Sequence, residues 1–176
     1  IEEYVGMALQ YQRINSTAND YILKQISLDT VIREVIHKYA KIMIRRKIRM
    51  HYEKTEATVI SDEKWLVFVL EQLLSNAVKY TPEGEITIEV KEEPQHIWLE
   101  IRDTGIGIRS EDIPRVFEKG YTGFNGHEDK RSTGIGLYLC REVLQKLGHT
   151  IQVQSEMGVG TNVKVGFSRG VIDFRD

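Results

Sequence analysis

Three separate segments of this sequence carry residue types that bind phosphates, bases or metal ions. The first is the run Asp103-Thr104-Gly105-Ile106-Gly107, in which a carboxylate at the end of an apolar strand is followed by two glycines. Glycines let the backbone turn sharply and approach a ligand closely. A carboxylate can accept a hydrogen bond from an exocyclic amine such as that of adenine. Taken alone, however, such a run is more often an ordinary β-turn.

The second segment is the end of an apolar helix that carries Asn76, Lys79 and Tyr80. These residues stand three and four positions apart, so their side chains project from one face of the helix. An amide oxygen is a suitable Mg²⁺ ligand, a lysine supplies a point charge for phosphate, and a tyrosine supplies a wall for a base or ribose. The alternative for an isolated helix is an exposed asparagine followed by a lysine that neutralises the helix dipole.

The third segment, Gly134-Ile135-Gly136-Leu137, follows a long polar loop and opens a helix. A helix N-terminus with exposed amides is a natural phosphate site, although a flexible hinge before a helix would have the same sequence. No Gly-Lys-Ser/Thr follows, so this is not a Walker motif, and the Rossmann pattern G-x-G-x-x-G does not occur.

The elements that would position these segments follow from hydrophobic periodicity. We predict helices from Ser27 or Asp29, over 63–79 and from Gly134 to Leu147, and strands near 21–26, 49–52, 57–60, 85–91, 96–102, 150–155 and 162–167. The strands 85–91 and 96–102 alternate apolar and polar residues, which indicates a sheet with one buried face. A short helix is expected near 110–117. This order predicts a two-layer α/β sandwich: a mixed, mostly antiparallel sheet with helices on one face.

Composition restricts the possible functions. The chain has 176 residues with 24 basic and 26 acidic side chains, a balance that gives no indication of nucleic-acid binding. The single cysteine, Cys140, lies in an apolar helical run, which favours packing over reactivity. The basic run Arg45-Arg46-Lys47 favours solvated capping of a helix end over an anion site. Residues 1–14 have helical patterning from the first residue, so we expect further sequence upstream.

The order and spacing of the three segments resemble the N-box and the first two glycine boxes of the GHKL superfamily, in the form found in the catalytic and ATP-binding domain of bacterial sensor histidine kinases. Phe117 resembles the F-box, and Gly158-Val159-Gly160-Thr161 resembles the last glycine box. The resemblance covers residues 27–167 and implies the Bergerat fold. Residues 1–14 resemble the second helix of a dimerisation and histidine-phosphotransfer hairpin. The implied organisation is a helix end and linker over 1–20, the ATP-binding domain over 21–170 and a tail over 171–176.

The resemblance also implies roles for individual residues. Asp103 would accept from the adenine amino group with Thr161 supporting it, Asn76 would coordinate Mg²⁺, and residues 109–133 would form a mobile ATP lid. The implied ATP-binding set is Asn76, Lys79, Tyr80, Asp103, Gly105, Gly107, Ile108, Lys119, Tyr121, Thr122, Gly123, Arg131, Thr133, Gly134, Gly136, Leu137 and Thr161.

Two positions depart from the commoner family pattern. Gln72 stands where many sensor kinases have asparagine, and Thr122 stands where many have a lid arginine; Lys119, Lys130 and Arg131 remain alternatives for that charge. Gln72, the run 118–123 and the run 132–138 resemble the intramembrane-sensing kinases, which work with peptide-antibiotic ABC transporters. That resemblance implies such a transporter as a partner through a membrane part.

The expected function is to position Mg-ATP for transfer of its γ-phosphate to a histidine upstream of this chain, since none of the five histidines lies in the sequence context of the family's acceptor. The expected partners are the upstream helices and a response regulator, with no nucleic acid, and the expected location is the cytoplasmic side of a cell-membrane protein. Two alternatives remain: a GHKL-type ATPase, which uses a glutamate at the position of Gln72, and an ATP-binding regulatory module without phosphotransfer.

Overall fold

The computed structural model describes residues Gly6, Leu9 and Gln12, which are helical, and residues 21–123 and 135–169. The predictions for the rest of 1–20, for 124–134 and for 170–176 lie outside these residues. In chain order the elements are β1 (Leu23–Ser27), α1 (Leu28–Arg45), β2 (Ile48–Tyr52), β3 (Thr58–Asp62), α2 (Glu63–Lys79), β4 (Gly84–Glu92), β5 (His96–Asp103), a 3₁₀ helix (Ile113–Arg115), α3 (Gly136–Lys146), β6 (Thr150–Glu156) and β7 (Gly160–Ser168).

The helix ends are set by capping residues that the sequence shows. The Ser27 hydroxyl accepts a hydrogen bond from the Thr30 amide at the start of α1, at 3.4 Å. The Asp62 carboxylate accepts from the Trp65 amide at the start of α2, at 3.1 Å. Each cap satisfies one of the amides that a helix start leaves without a partner. Gly148 follows α3 with a φ of +76°, the left-handed conformation that glycine adopts readily at a helix end.

The described strands form a five-stranded sheet in the order β2-β4-β5-β7-β6 and a separate two-stranded ribbon of β1 and β3. Within the sheet, β2 and β4 run parallel and the other three pairs are antiparallel. Alternate residues of β4, β5 and β7 are buried against the helices in the core. The predicted two-layer α/β sandwich with a mixed, mostly antiparallel sheet is therefore confirmed.

Two local features differ from the sequence-based expectation. The first is the β1–β3 ribbon, in which Ile26 pairs with Val59 outside the main sheet. The ribbon adjoins the start of α1, where the Leu28 amide donates to the Ala57 carbonyl at 3.1 Å. The second is the region near 110–117, where the helix is reduced to the single 3₁₀ turn Ile113–Arg115. Pro114 explains the reduction, because proline has no amide to donate within a longer helix.

The core joins the three helices to the sheet. Cys140 is fully buried in α3 with its sulfur 3.9 Å from the Val69 carbonyl of α2, and burial raises the pKa of its thiol. The expected packing role is thus confirmed. In the part of the chain that the structure describes, no helix is both long and apolar enough to cross a membrane.

Candidate functional site

The turn after β5 packs against the end of α2. The Ile106 amide donates to the Tyr80 carbonyl at 3.0 Å. Gly105, one residue earlier, is buried, and a Cβ atom there would contact the Tyr80 carbonyl oxygen and lie 2.8 Å from Thr81 Oγ1. A side chain would therefore separate the turn from the helix. Glycine at this position is what lets the first two of the predicted segments meet.

Asp103 lies at the centre of the site. Its Oδ1 accepts hydrogen bonds from the amides of Gly105, at 2.9 Å, and Thr161, at 3.2 Å. Burial raises the pKa of the Asp103 carboxyl, because low polarity disfavours the charged form, and the two amides oppose that effect. The Thr81 hydroxyl also lies close and favours the carboxylate without making a regular hydrogen bond to it. Asp103 Oδ2 makes no hydrogen bond within the described residues.

Gly107 is confined by backbone from the neighbouring hairpin. Its φ is +76°, and a Cβ atom would contact the Glu156 carbonyl oxygen and lie 2.9 Å from the Met157 Cα. The Gly158 amide donates to the Ile106 carbonyl at 2.9 Å. The glycine turn after β5 is therefore held between α2 on one side and the β6–β7 hairpin on the other.

The hydroxyls of Ser155 and Thr161 hold the next part of the site, beside the glycine turn after β5. Ser155 Oγ accepts from the Ile108 amide at 2.8 Å, donates to the Gly160 carbonyl at 2.9 Å and lies 2.8 Å from Thr161 Oγ1. Because the serine proton goes to Gly160, the Thr161 hydroxyl is the donor in the last of these contacts. Thr161 thus reaches Asp103 through its backbone amide, while its side chain is engaged by Ser155.

Asn76, Lys79 and Tyr80 are half-buried at the end of α2. The Lys79 ammonium lies 5.3 Å from the centroid of the Tyr80 ring. The side-chain amide of Asn76 has no hydrogen bond to any described residue, so its oxygen is available to a ligand. Arg46, which follows α1, donates from Nη1 to the Val78 carbonyl at 3.0 Å and so attaches this last turn of α2 to the end of α1.

The described part of the predicted lid, residues 109–123, contains four of the predicted ligand residues: Lys119, Tyr121, Thr122 and Gly123. In the structure the Tyr121 hydroxyl donates to the Asp112 carboxylate, and the Arg115 guanidinium lies 4.1 Å from the centroid of the Tyr121 ring. Tyr121 is therefore engaged within its own loop. The predicted residues Arg131, Thr133 and Gly134 lie outside the described residues, as does Lys130.

Gly136 and Leu137 are half-buried in the first turn of α3. Ile135 is the N-cap of this helix and makes no side-chain capping bond. The N-cap side chain therefore does not occupy the N-terminus of α3, the end of a helix that favours anions.

The sequence did not single out Ser155 and Thr81. Both belong to the wall around Asp103, and Thr81 is fully buried with a hydroxyl that has no hydrogen-bond partner within the described residues. A buried, unpaired hydroxyl is unusual, which makes Thr81 a candidate partner for a ligand or an ordered water. The position of Thr81 directly after the Asn76–Tyr80 segment was the available signal.

Glu71 bears on the choice between hydrolysis and transfer. It is the carboxylate nearest in sequence to Gln72, where the GHKL-type ATPases that the sequence resembles use a glutamate as general base. Its Oε2 pairs with Lys38 Nζ of α1 at 3.0 Å. The carboxylate is therefore directed to the α1 side of α2.

Comparison with known proteins identifies a family, two curated relatives and a solved structure. The family model described as histidine kinase-, DNA gyrase B-, and HSP90-like ATPase matches residues 61–170. The chain is 38% identical over 153 residues to sensor protein BceS of Bacillus subtilis (strain 168), covering 87% of this chain and 46% of that protein. It is 35% identical over 173 residues to sensor histidine kinase YxdK of the same strain, covering 95% of this chain and 52% of that protein.

The chain thus spans about half the length of these curated relatives. Among solved structures, full-length ShkA in complex with AMPPNP is similar with a TM-score of 0.81 and 21% sequence identity, covering 94% of this chain and 35% of that one. At that identity the similarity shows a shared fold.

Proposed function

This chain belongs to the family of histidine kinase-, DNA gyrase B- and HSP90-like ATPases, and on that premise we propose that it is the ATP-binding catalytic domain of a sensor histidine kinase. The observation that supports this most directly is the Asp103 carboxylate. One of its oxygens is saturated by two backbone amides and the other has no hydrogen bond within the described residues. Asp103 is half-buried, so this second oxygen can accept a hydrogen bond from a ligand such as an exocyclic amine.

The proposed base site is built around that oxygen. The adenine amino group donates to Asp103, and the turn formed by Gly105 and Gly107 lies against the ring. Tyr80 and Ile108 contribute to the walls. Because Gly105 is pressed against α2, the carboxylate is held rigidly, which lowers the entropy cost of binding.

The end of α2 and the start of α3 receive the phosphates in this proposal. Lys79 and the first amides of α3, at Gly136 and Leu137, supply positive charge. Lys119, Tyr121, Thr122 and Gly123 would contribute from the lid, together with Arg131, Thr133 and Gly134. In that case Tyr121 must exchange its contact with Asp112 for the nucleotide, a rearrangement typical of lid closure.

Asn76 fits a magnesium site. Its amide oxygen is free of hydrogen bonds to the described residues. Within those residues no group of three or more histidine, cysteine, aspartate or glutamate side chains is placed to hold a metal. A metal here would therefore have few protein ligands and rely on phosphates and water, as Mg²⁺ commonly does. The ion would neutralise phosphate charge, and this chain would supply one of its ligands, the Asn76 oxygen.

Transfer rather than hydrolysis follows from the residues around Asn76. An amide such as Gln72 is a very poor proton acceptor, and Glu71 is paired with Lys38 on the α1 side. The GHKL-type ATPase alternative is therefore disfavoured, and a regulatory module without phosphotransfer remains the second candidate, since the binding geometry alone serves both.

The phosphoacceptor is proposed to lie upstream of this chain. His37 is exposed on α1, His51 lies 3.4 Å from Glu85, and His96 stacks on Trp98. His149 is buried beside Ser61, and His127 lies outside the described residues. In this proposal an upstream helix hairpin carries the acceptor, a response regulator takes the phosphoryl group, and the whole protein places this domain at the cytoplasmic side of a membrane. Motif resemblance alone supports an ABC transporter as a further partner.

Calorimetric titration with ATP, with and without Mg²⁺, tests the proposal. Asp103→Asn replaces the acceptor for the adenine amine by an amide of the same shape, so affinity should fall by roughly 10- to 150-fold, the equivalent of one charge-assisted hydrogen bond. Glu83→Gln removes an exposed carboxylate from the loop between α2 and β4 and is the matched control; its affinity should equal that of the parent chain. Equal ATP binding by the Asp103 variant and the parent, or no binding by either, refutes the proposed site. Phosphohistidine on this chain alone would refute the upstream acceptor.

A further inference from the structure

The C-terminal end of α1 concentrates positive charge. Residues 38–49 contain six basic side chains and no acidic one: Lys38, Lys41, Arg45, Arg46, Lys47 and Arg49. The rest of the chain holds the other 18 basic residues and all 26 acidic ones. Positive charge is therefore segregated onto one corner of a molecule that is otherwise acidic.

Half of these cations are engaged within the fold. Lys38 pairs with Glu71 at 3.0 Å, Arg49 pairs with Glu85 at 2.5 Å, and Arg46 donates to the Val78 carbonyl at 3.0 Å. Structural partners therefore account for these three side chains, which leaves the other half of the cluster to be explained.

The other three cations have no partner within the described residues. Lys41, Arg45 and Lys47 are exposed, and no hydrogen bond or ion pair joins them to described side chains. Lys41 precedes Ile44 by three residues, so the two side chains are neighbours on the helix surface. Arg45 is the next residue after Ile44, and Lys47 comes two residues later. We call the set Lys41, Ile44, Arg45 and Lys47 the basic end of α1.

Ile44 is the apolar member of the basic end of α1. It is 77% exposed, more than any other large hydrophobic residue that the structure describes, and the next, Ile22, is 73% exposed. It lies on the outward stripe of the helix, where the pattern of α1 otherwise places polar residues. Ile42, two residues earlier, is also 36% exposed. Nothing in the core requires an isoleucine at position 44.

One highly exposed apolar side chain surrounded by unpaired cations matches the interface of an anionic lipid membrane. Long basic side chains place their charge at the headgroups while an apolar neighbour enters the acyl boundary. A protein partner would be expected to require a larger apolar centre from which charges are depleted. Single-stranded nucleic acid would be expected to require aromatic side chains on which bases stack, and this surface has none.

We propose that the basic end of α1 binds the surface of an anionic lipid membrane. The binding is peripheral, with Lys41, Arg45 and Lys47 at the headgroups and Ile44 below them. It goes beyond the nucleotide function proposed above and does not depend on it. Arg46 attaches this end of α1 to the turn of α2 that precedes Tyr80, so the nucleotide site of a membrane-bound chain would lie near the lipid surface.

Vesicle co-sedimentation of the whole chain tests the proposal. The vesicles are phosphatidylcholine alone, or phosphatidylcholine with about one-third phosphatidylglycerol as the anionic lipid. Each basic residue near such a surface contributes roughly fivefold to partitioning. The parent chain should bind the anionic vesicles at about 0.05 M salt and be released at about 0.5 M, because salt screens these charges.

Substitutions distinguish binding through the basic end of α1 from a general effect of positive charge on the protein surface. The triple variant Lys41→Gln, Arg45→Gln, Lys47→Gln should lower partitioning by roughly 100-fold, about fivefold for each cation removed. The matched control removes three positive charges elsewhere, Lys24→Gln, Lys54→Gln and Lys64→Gln, and should change it less than about twofold, because the effect of surface charge falls off within a Debye length. Ile44→Ser should lower it several-fold, whereas Ile60→Ser, at an isoleucine 47% exposed on the ribbon, should have no effect.

The proposal is overturned if the parent chain does not bind anionic vesicles, binds neutral vesicles equally well, or loses binding equally in both triple variants. Circular dichroism of each variant shows whether it is folded, and the salt dependence of the parent chain tests the proposal without any variant. ATP affinity of the Lys41, Arg45, Lys47 variant should equal that of the parent. If the ATP titration shows no nucleotide binding, the vesicle result still stands, because membrane binding does not depend on the nucleotide site.

Discussion

Replacing Gly105 by alanine tests whether the turn after β5 must pack directly against α2. The added methyl would contact the Tyr80 carbonyl oxygen and lie 2.8 Å from Thr81 Oγ1 and 2.9 Å from Asp103 Oδ1. The φ of Gly105 is not in the left-handed region, so backbone strain is not the cost. The cost is overpacking, and two of the three crowded atoms are backbone oxygen and a bonded carboxylate that cannot rotate away.

The expected magnitude follows from the contacts that must give way. Relief requires either a longer bond from the Ile106 amide to the Tyr80 carbonyl, now 3.0 Å, or a displaced Asp103 carboxylate. Overpacking of this kind costs about 1–3 kcal/mol. For a chain of this size that corresponds to a Tm lower by about 2–12 °C. ATP affinity should fall as well, because both routes move the atom that accepts the adenine amine.

Thermal unfolding and ATP calorimetry on the same preparations provide the measurement. Gly148→Ala is the matched control, since Gly148 has a φ of +76° at the end of α3 and no atom within 4 Å of an added Cβ. It should lose about 1–2 kcal/mol through backbone strain alone and bind ATP like the parent. The packing argument is wrong if Gly105→Ala melts within about one degree of the parent and binds ATP equally well.

Three further predictions concern residues outside the turn. The buried ring of His149 has its pKa lowered to about 4, below the usual 6.5, so the unfolded chain takes up the proton first as pH falls. The free energy of unfolding should therefore drop by about 3 kcal/mol between pH 6.5 and pH 4. Urea denaturation at several pH values measures this change. Arg46→Gln removes the donor to the Val78 carbonyl and should cost about 1 kcal/mol, since the arginine is exposed, with a small loss of ATP affinity measured by calorimetry. Glu71→Gln should leave any slow ATP hydrolysis unchanged in a steady-state assay, because the carboxylate pairs with Lys38.

Each of these has its own control. The pH dependence should persist in His51→Gln, which alters an exposed histidine, and a flat profile in the parent would contradict the assignment to His149. Arg46→Lys keeps a donor of similar reach and should recover part of the loss. Hydrolysis abolished by Glu71→Gln would restore the ATPase alternative.

Much of the fold could be predicted because local signals agreed with one another. The apolar face of α2 lies between Asp62 and a final lysine, and the structure gives Glu63–Lys79, the range predicted from those signals. The strand alternation of Ile86 and Ile88 indicated which face of the sheet is buried. The β1–β3 pairing was beyond reach, because two short strands separated by α1 carry no signal of which partner each will take.

The candidate site, like the fold, could be predicted from the sequence only in part. Asp103 and the glycines stand out because their chemistry is restrictive at the end of a strand. Ser155 did not, because a serine in a strand is common and its contact with Ile108 joins segments 47 residues apart. For Thr161 the resemblance implied support for Asp103 without specifying the atom, and the structure assigns that contact to the backbone amide.

The Asp103 carboxylate has opposite effects on the stability of the fold and on ATP binding. Burial raises its pKa, so the folded chain holds a proton more tightly than the unfolded chain does. By linkage this group stabilises the fold in acid and loses that contribution as pH rises through its folded pKa; at neutral pH the ionised carboxylate lowers stability. Asp103→Asn keeps an oxygen to accept from the Gly105 and Thr161 amides while removing the half-buried charge. The variant without nucleotide should therefore melt at a higher temperature than the parent at pH 7, although it binds ATP more weakly. A lower Tm would mean that the carboxylate serves the fold rather than the ligand.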